Sequence, residues 1–167
     1  MLLFFEMRLC RLSELRAVQI RIEPVLRQQL IVRTLLDDVD LCVDALNGGP
    51  GVYSARFGGE GLDDKGRYTL LLEMLRGQTD RAAHFHTSIV CAFPNGDELV
   101  CEGECPGTIA FAPMGEGGFG YDPVFFVPEL RKTFGQLTAE EKASVSHRGK
   151  ALRAFAAALD DYLKGNE

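Results

Sequence analysis

The chain has 167 residues, 46% of them hydrophobic and 25% charged, with a formal net charge of −6. That length suits one domain with a substantial buried core, and the acidic balance argues against a nucleic-acid polymer as the main partner. No apolar run approaches the ~20 residues needed to span a bilayer, and Met1-Leu2-Leu3-Phe4-Phe5-Glu6 is a poor signal peptide, so the cytoplasm is the expected compartment. The five cysteines, Cys10, Cys42, Cys91, Cys101 and Cys105, read as reduced structural thiols, with no second pair at zinc-ligand spacing.

The first 47 residues carry six Arg but no Gly and no Lys, whereas all 18 glycines lie from Gly48 onward. Val18, Ile20 and Ile22 alternate with polar residues as in a strand. Val25, Leu26, Gln29, Leu30, Arg33 and Leu36 follow Pro24 at helical spacing. From Leu41 the pattern sharpens. Leu41-Cys42-Val43 is a short apolar strand, and Tyr68, Leu71, Leu72 and Leu75 predict a helix from about Gly61 to Arg76, stopped by Gly77. Phe85, Thr87, Ile89 and Cys91 alternate into a hairpin at Asn95-Gly96. The return strand is read as Glu98 to Cys105, a third strand as Thr108 to Ala112, and a fourth as Val124 to Val127. Thr138-Ala139-Glu140-Glu141 is a capping box that opens a short helix. A longer helix is expected from about Ser146 to Lys164, with Leu152, Phe155, Ala156, Leu159 and Leu163 on its apolar stripe and Gly165 at its end. The fold class expected is mixed α/β, a central mixed β-sheet flanked by helices.

Four clusters could carry chemistry. Asp37-Asp38, with Asp40 close behind, masses carboxylates at a strand start, which suits either a hard cation such as Mg²⁺ or a solvated acidic turn. Gly48 to Phe57 joins a tight loop to Ser54 and Arg56, a phosphate cradle or a helix cap. Gly115-Glu116-Gly117-Gly118-Phe119-Gly120-Tyr121-Asp122-Pro123 places two aromatic rings and a carboxylate on a backbone able to approach a ligand closely. Lys142, His147, Arg148 and Lys150 gather cations at the start of the last helix, where an anion or an oxygen-rich base can be held. His84 and His86 share a strand face without a third ligand and are read as an exposed pair.

Together, Asp37-Asp38, then Leu41 to Phe57, then Gly117-Gly118-Phe119-Gly120-Tyr121-Asp122-Pro123, then Ser146-His147-Arg148-Gly149-Lys150-Ala151-Leu152 resemble the inosine/xanthosine triphosphate pyrophosphatases, in the right order over about residues 37 to 163. The resemblance implies an enzyme that hydrolyses non-standard purine nucleoside triphosphates (ITP, dITP, XTP) to the monophosphate and pyrophosphate, with Mg²⁺ as cofactor and a homodimer as assembly. It implies Asp38 as proton acceptor and metal ligand, with Asp37 also on the metal. Val39, Phe119, Gly120, Tyr121, Asp122, Lys142, His147 and Arg148 would hold the substrate, Phe119 stacking on the purine.

The family's acidic turn reads Ala-Asp-Asp-Ser-Gly-Leu; here Val39 replaces Ser and Asp40 replaces Gly. The family's opening strand and Thr/Ser-x-Asn-x-x-Lys phosphate loop have no counterpart, nor does its Glu metal ligand. Residues 1–36 are therefore read as a divergent, disordered or mis-framed segment, and 37–167 as the pyrophosphatase-like domain. Two expectations follow: a pyrophosphatase with impaired catalysis, or an inactive nucleotide-binding or dimerising remnant of the same fold.

Overall fold

A computed structural model describes residues 6–10, 17–21, 40–93 and 95–165 of the chain. Two short strands, β1 (Glu6–Cys10) and β2 (Ala17–Arg21), pair antiparallel as a separate ribbon. The strand expected around Val18 and Ile20 is thus present; the helix expected after Pro24 lies outside the described residues, as do Asp37, Asp38 and Val39.

The rest is built on one six-stranded sheet. Its strands are β3 (Asp40–Val43), β4 (Gly49–Gly51), β5 (Ala82–Ala92), β6 (Glu98–Ile109), β7 (Phe125–Val127) and β8 (Lys132–Thr133). The order is β4-β3-β5-β6-β7-β8, and each of these pairings is antiparallel. Helices α1 (Asp64–Met74), α2 (Ala139–Val145) and α3 (His147–Gly165) complete a mixed α/β fold.

The long β5–β6 hairpin is the frame. Along β5, buried residues alternate strictly with half-buried ones, the period-two pattern of a strand with one face on the core. Gly96 at the turn has φ +93°, which glycine adopts without strain. The return strand differs from the sequence expectation: Cys105-Pro106-Gly107 reads as a break, yet β6 runs unbroken to Ile109. Proline is tolerated because β7 pairs only with Thr108 and Ile109, leaving β6 an edge at Pro106. Gly107 belongs to the strand because a Cβ there would come within 2.6 Å of both the Phe125 ring and the Phe126 carbonyl oxygen. The helix expected over 61–76 starts later, at Asp64, because the Asp63 carboxylate accepts the Gly66 amide at 2.7 Å and fixes the first turn.

The core forms two clusters on one face of the sheet. One gathers Leu41, Val43, Leu71, Leu75, Phe85, Ile109, Val124, Phe125 and Phe134 under α1 and the loop after β6. The other, Ile89, Cys91, Phe93, Cys101, Ala151, Phe155 and Leu159, lies between the hairpin tip and α3. The buried stripe of α3 is His147, Ala151, Phe155 and Leu159, spaced four apart, so the expected Leu152 and Leu163 flank the core instead of filling it. Cys42, Cys91, Cys101 and Cys105 are free thiols, and burial raises the pKa of each. No helix among the described residues is long and apolar enough to cross a membrane.

Candidate base-binding site

The glycine-rich loop between β6 and β7 is rigidly tied. Met114 donates its amide to the Pro123 carbonyl at 2.8 Å, closing the loop at its base. Gly117 donates to Gly135, and Gly135 to Asp122, stitching the loop to the turn after β8. Two glycines are required by contact. At Gly118, with φ +79°, a Cβ would meet the Asp122 carboxylate at 1.9 Å; at Gly115, with φ +83°, it would meet the Gly135 carbonyl at 2.3 Å.

Asp122 is the pin of this arrangement. Its side chain is almost wholly buried, and one oxygen, Oδ2, accepts from the Phe119 amide at 2.7 Å and from Lys142 Nζ at 2.5 Å. A half-buried ammonium on a buried carboxylate makes a charge-assisted bond stronger than a neutral one. The bond also draws the start of α2 against the loop. The capping box at Thr138 and Glu141 is formed as expected, and Glu141 additionally accepts from Lys132 at 2.7 Å, anchoring α2 to β8. That bond and the Thr138 amide hold the Glu141 carboxyl below its ordinary pKa.

The loop thereby presents Phe119, more than half exposed, with cations against its ring: Lys142 Nζ lies 4.9 Å and Arg148 Cζ 5.3 Å from the centroid. An exposed aromatic ring beside two donors offers a stacking surface for a flat heterocycle and charged hydrogen-bond donors at its edge. Behind it, His147 is only 4% exposed and stacks on Phe85 at 4.8 Å. Burial, and after it the charges of Arg148 and Lys142, push its pKa down to about 3. It is a neutral imidazole at ordinary pH, and both its ring nitrogens lack a hydrogen-bond partner among the described residues.

Phe119, Gly120, Tyr121, Asp122, Lys142, His147 and Arg148 are thus brought to one place. Tyr121 differs from Phe119: it is 6% exposed, with its hydroxyl turned inward to the Ser54 carbonyl at 2.8 Å. Asp37, Asp38 and Val39 fall outside the described residues, but Asp40 opens β3 opposite His86 in extended backbone. In the Gly48–Phe57 loop the Ser54 hydroxyl is buried, accepting from the Leu41 amide and donating to the Gly51 carbonyl, so it is turned to backbone. His84 and His86 lie half-buried on the β5 face opposite the core, His86 Nε2 3.8 Å from Glu102.

Sequence reasoning missed Phe134, which floors the site 5.3 Å from Lys142 Nζ and stacks with Phe85. It also missed Thr133, whose buried hydroxyl donates to Met114, and Asp64, which accepts the Gly120 amide at 2.8 Å. The Thr133–Gln136 capping box was the legible signal for the first two.

A family model described as the Ham1 family matches residues 14–158. A dITP/XTP pyrophosphatase from an Exiguobacterium species is 51% identical over 131 residues, covering 78% of this chain and 67% of that protein. One from Desulforamulus reducens is 54% identical over 121 residues, 71% of this chain and 60% of that protein. Among solved structures, the Staphylococcus aureus Ham1 protein superposes with a TM-score of 0.70 at 43% identity, over 78% of this chain and 66% of that one. A Coxiella burnetii HAM1 protein gives 0.71 at 40% identity, over 74% and 65%. The chain spans about two thirds or less of the length of these relatives. Its sequence, its antiparallel sheet and the loop that carries Phe119 together place it: the chain belongs to the Ham1 family.

Proposed function

We propose that the protein hydrolyses non-standard purine nucleoside triphosphates, ITP, dITP and XTP, to the monophosphate and pyrophosphate. The observation that carries this reading is the exposed Phe119 ring with Lys142 Nζ and Arg148 Cζ within 4.9 and 5.3 Å of its centroid. A purine stacks on the ring, and a cationic donor at its edge favours a 6-oxo group. A 6-amino group would set donor against donor, a buried mismatch of ~1–3 kcal/mol. Guanine also offers a 6-oxo group, so its rejection depends on shape at the 2-position.

In the chemical step, water forms a bond to the α-phosphorus, the bond to the bridging oxygen breaks, and pyrophosphate leaves. Asp38 takes the proton from the water, and Val39 contributes to holding the substrate. Asp37 and Asp38 are oxygen donors of the type that bind Mg²⁺, which supplies charge neutralisation to phosphoryl chemistry. Among the described residues, which leave out Asp37 and Asp38, no group of three His, Cys, Asp or Glu side chains is placed to hold an ion. The functional unit in this reading is residues 37–167, a homodimer as the resemblance implies, with the cytoplasm as its expected compartment.

A second reading, a nucleotide binder without turnover, is favoured by Val39 and Asp40 at positions where the family pattern has Ser and Gly. Pyrophosphate release from ITP, XTP, GTP and ATP with Mg²⁺ separates the two. Turnover that prefers ITP and XTP supports hydrolysis; tight IMP binding without turnover supports the binder; indifference to all four nucleotides defeats both.

A further inference from the structure

Phe119 is 57% exposed, so the direction of its ring rests on the two peptide groups that flank it. The group before it is held from within the loop: the Phe119 amide donates to Asp122 Oδ2 at 2.7 Å. The group after it is held at both ends. Its carbonyl, that of Phe119, accepts from the Asp122 amide at 3.2 Å. Its N–H, that of Gly120, donates to Asp64 Oδ2 at 2.8 Å. This last bond comes from outside the loop, from the first residue of α1, 56 positions away in the chain. Gly120 sits at φ +60°, and a Cβ there would meet nothing within 4 Å. Packing therefore does not confine this glycine, a residue that reaches positive and negative φ alike. The Asp64 bond lies at a point where the loop is otherwise free to turn. Asp64 is itself anchored. It opens an 11-residue helix whose first turn is fixed by the Asp63 carboxylate on the Gly66 amide. Its Oδ1 faces Arg67 Nη1 at 3.7 Å, which leaves Oδ2 to the loop.

We infer that Asp64 is a positioning residue for base recognition, holding Phe119 in the orientation that stacks on a purine. The inference rests on the functional reading above, in which Phe119 is the stacking surface. Asp64 does not touch the base in this account; it acts through the Gly120 amide. A ring already held in its bound orientation loses less freedom when the ligand arrives, and that saving appears as affinity. An ionised acceptor also makes a stronger bond to a backbone N–H than a neutral one. The Asp64 side chain is 57% exposed, so water competes for its oxygens. The expected effect on affinity is accordingly modest, roughly threefold to tenfold.

Three variants test it. D64A removes the acceptor, D64S leaves a hydroxyl one bond too short to reach, and D64N keeps a side-chain oxygen at the same distance. IMP binding is measured by calorimetry, per folded molecule, and hydrogen exchange of the Gly120 amide by NMR. The expected result is an IMP Kd raised roughly threefold to tenfold in D64A and D64S, with D64N within about twofold of the wild type. The Gly120 amide should exchange faster in D64A and D64S than in the wild type, because its acceptor is gone. The decisive readout is coupling to the ring. In an F119L background, which keeps an apolar side chain but no ring, D64A should cost less than about twofold, since both changes act on one element. Equal fold-losses from D64A with Phe119 and with F119L overturn the inference. So does a lowered Tm in D64A with wild-type IMP affinity, which leaves Asp64 a purely structural residue. Should D64A fail to fold, D64S decides in its place through the same cycle. A wild-type chain that binds none of the purine nucleotides overturns the functional reading and this inference with it. IMP binding by the wild type that D64A and D64S match overturns the inference alone.

Discussion

The backbone of Gly103 on β6 lies directly beneath His147, the first residue of α3: a Cβ on Gly103 would come within 2.1 Å of the His147 carbonyl oxygen and 2.5 Å of the Ala151 amide nitrogen. Both contacts are with backbone, which cannot rotate aside. The helix that carries His147 and Arg148 is therefore set on the sheet by the absence of one methyl group. Gly103→Ala should force α3 outward and cost ~1–3 kcal/mol, the usual range for overpacking. Denaturant unfolding measures the loss, and IMP affinity should fall alongside it because Arg148 moves from Phe119. Wild-type stability would show that α3 can shift without penalty.

Asp122 predicts a different pattern. Its Oδ2 holds both the Phe119 amide and Lys142 Nζ, and the carboxylate is buried while the ammonium is about a quarter exposed. Asp122→Asn keeps the shape but removes the charge, so Lys142 loses its partner. The expected cost is ~1–3 kcal/mol in stability, read as a shift in urea midpoint. IMP binding should weaken as well, because the orientation of Phe119 depends on that carboxylate.

His147 predicts a pH dependence. Its pKa in the folded protein is about 3, against about 6.5 when unfolded. Between those values the unfolded chain binds the proton and the folded chain does not, so stability rises with pH across that window. Its contribution is fully present above pH ~6.5 and is lost as pH falls toward 3, by up to ~1.4 kcal/mol per unit. Unfolding free energy of the wild type and of His147→Gln, measured from pH 7 to 4, should show a shallower slope in the variant. Parallel slopes would place the acid sensitivity in other groups.

Arg148→Ala tests the reading of the base. With Arg148 beside the Phe119 ring, its loss should reduce the preference for ITP over ATP by about tenfold, the value of one buried donor. Unchanged preference would assign discrimination to Lys142 or to a loop amide.

Much of this was legible in the sequence, and the exceptions have physical causes. The β5–β6 hairpin follows from alternation and Asn95-Gly96, both local signals, and the capping box at Thr138 is a four-residue pattern that the structure reproduces. The continuity of β6 through Pro106 was not legible, because it depends on how far β7 reaches along its neighbour. Phe119 and Tyr121 look alike in the loop. Only packing separates the exposed ring from the one turned in toward Ser54. Phe134 entered the site through the turn after β8, a contact between segments that no spacing within the loop or the last helix encodes. The resemblance in the motifs from Leu41 onward proved sound at the level of family, since the relatives share it at about half of all aligned positions.

The central claim is that the Phe119 loop and the start of α3 read a 6-oxo purine. Calorimetric titration of the protein with IMP and with AMP tests it most directly, because it needs no turnover. The account predicts IMP binding at least about tenfold tighter than AMP, corresponding to one donor–donor mismatch, with Phe119→Ala weakening IMP strongly. Equal affinity for the two monophosphates, or IMP binding untouched by Phe119→Ala, would contradict it.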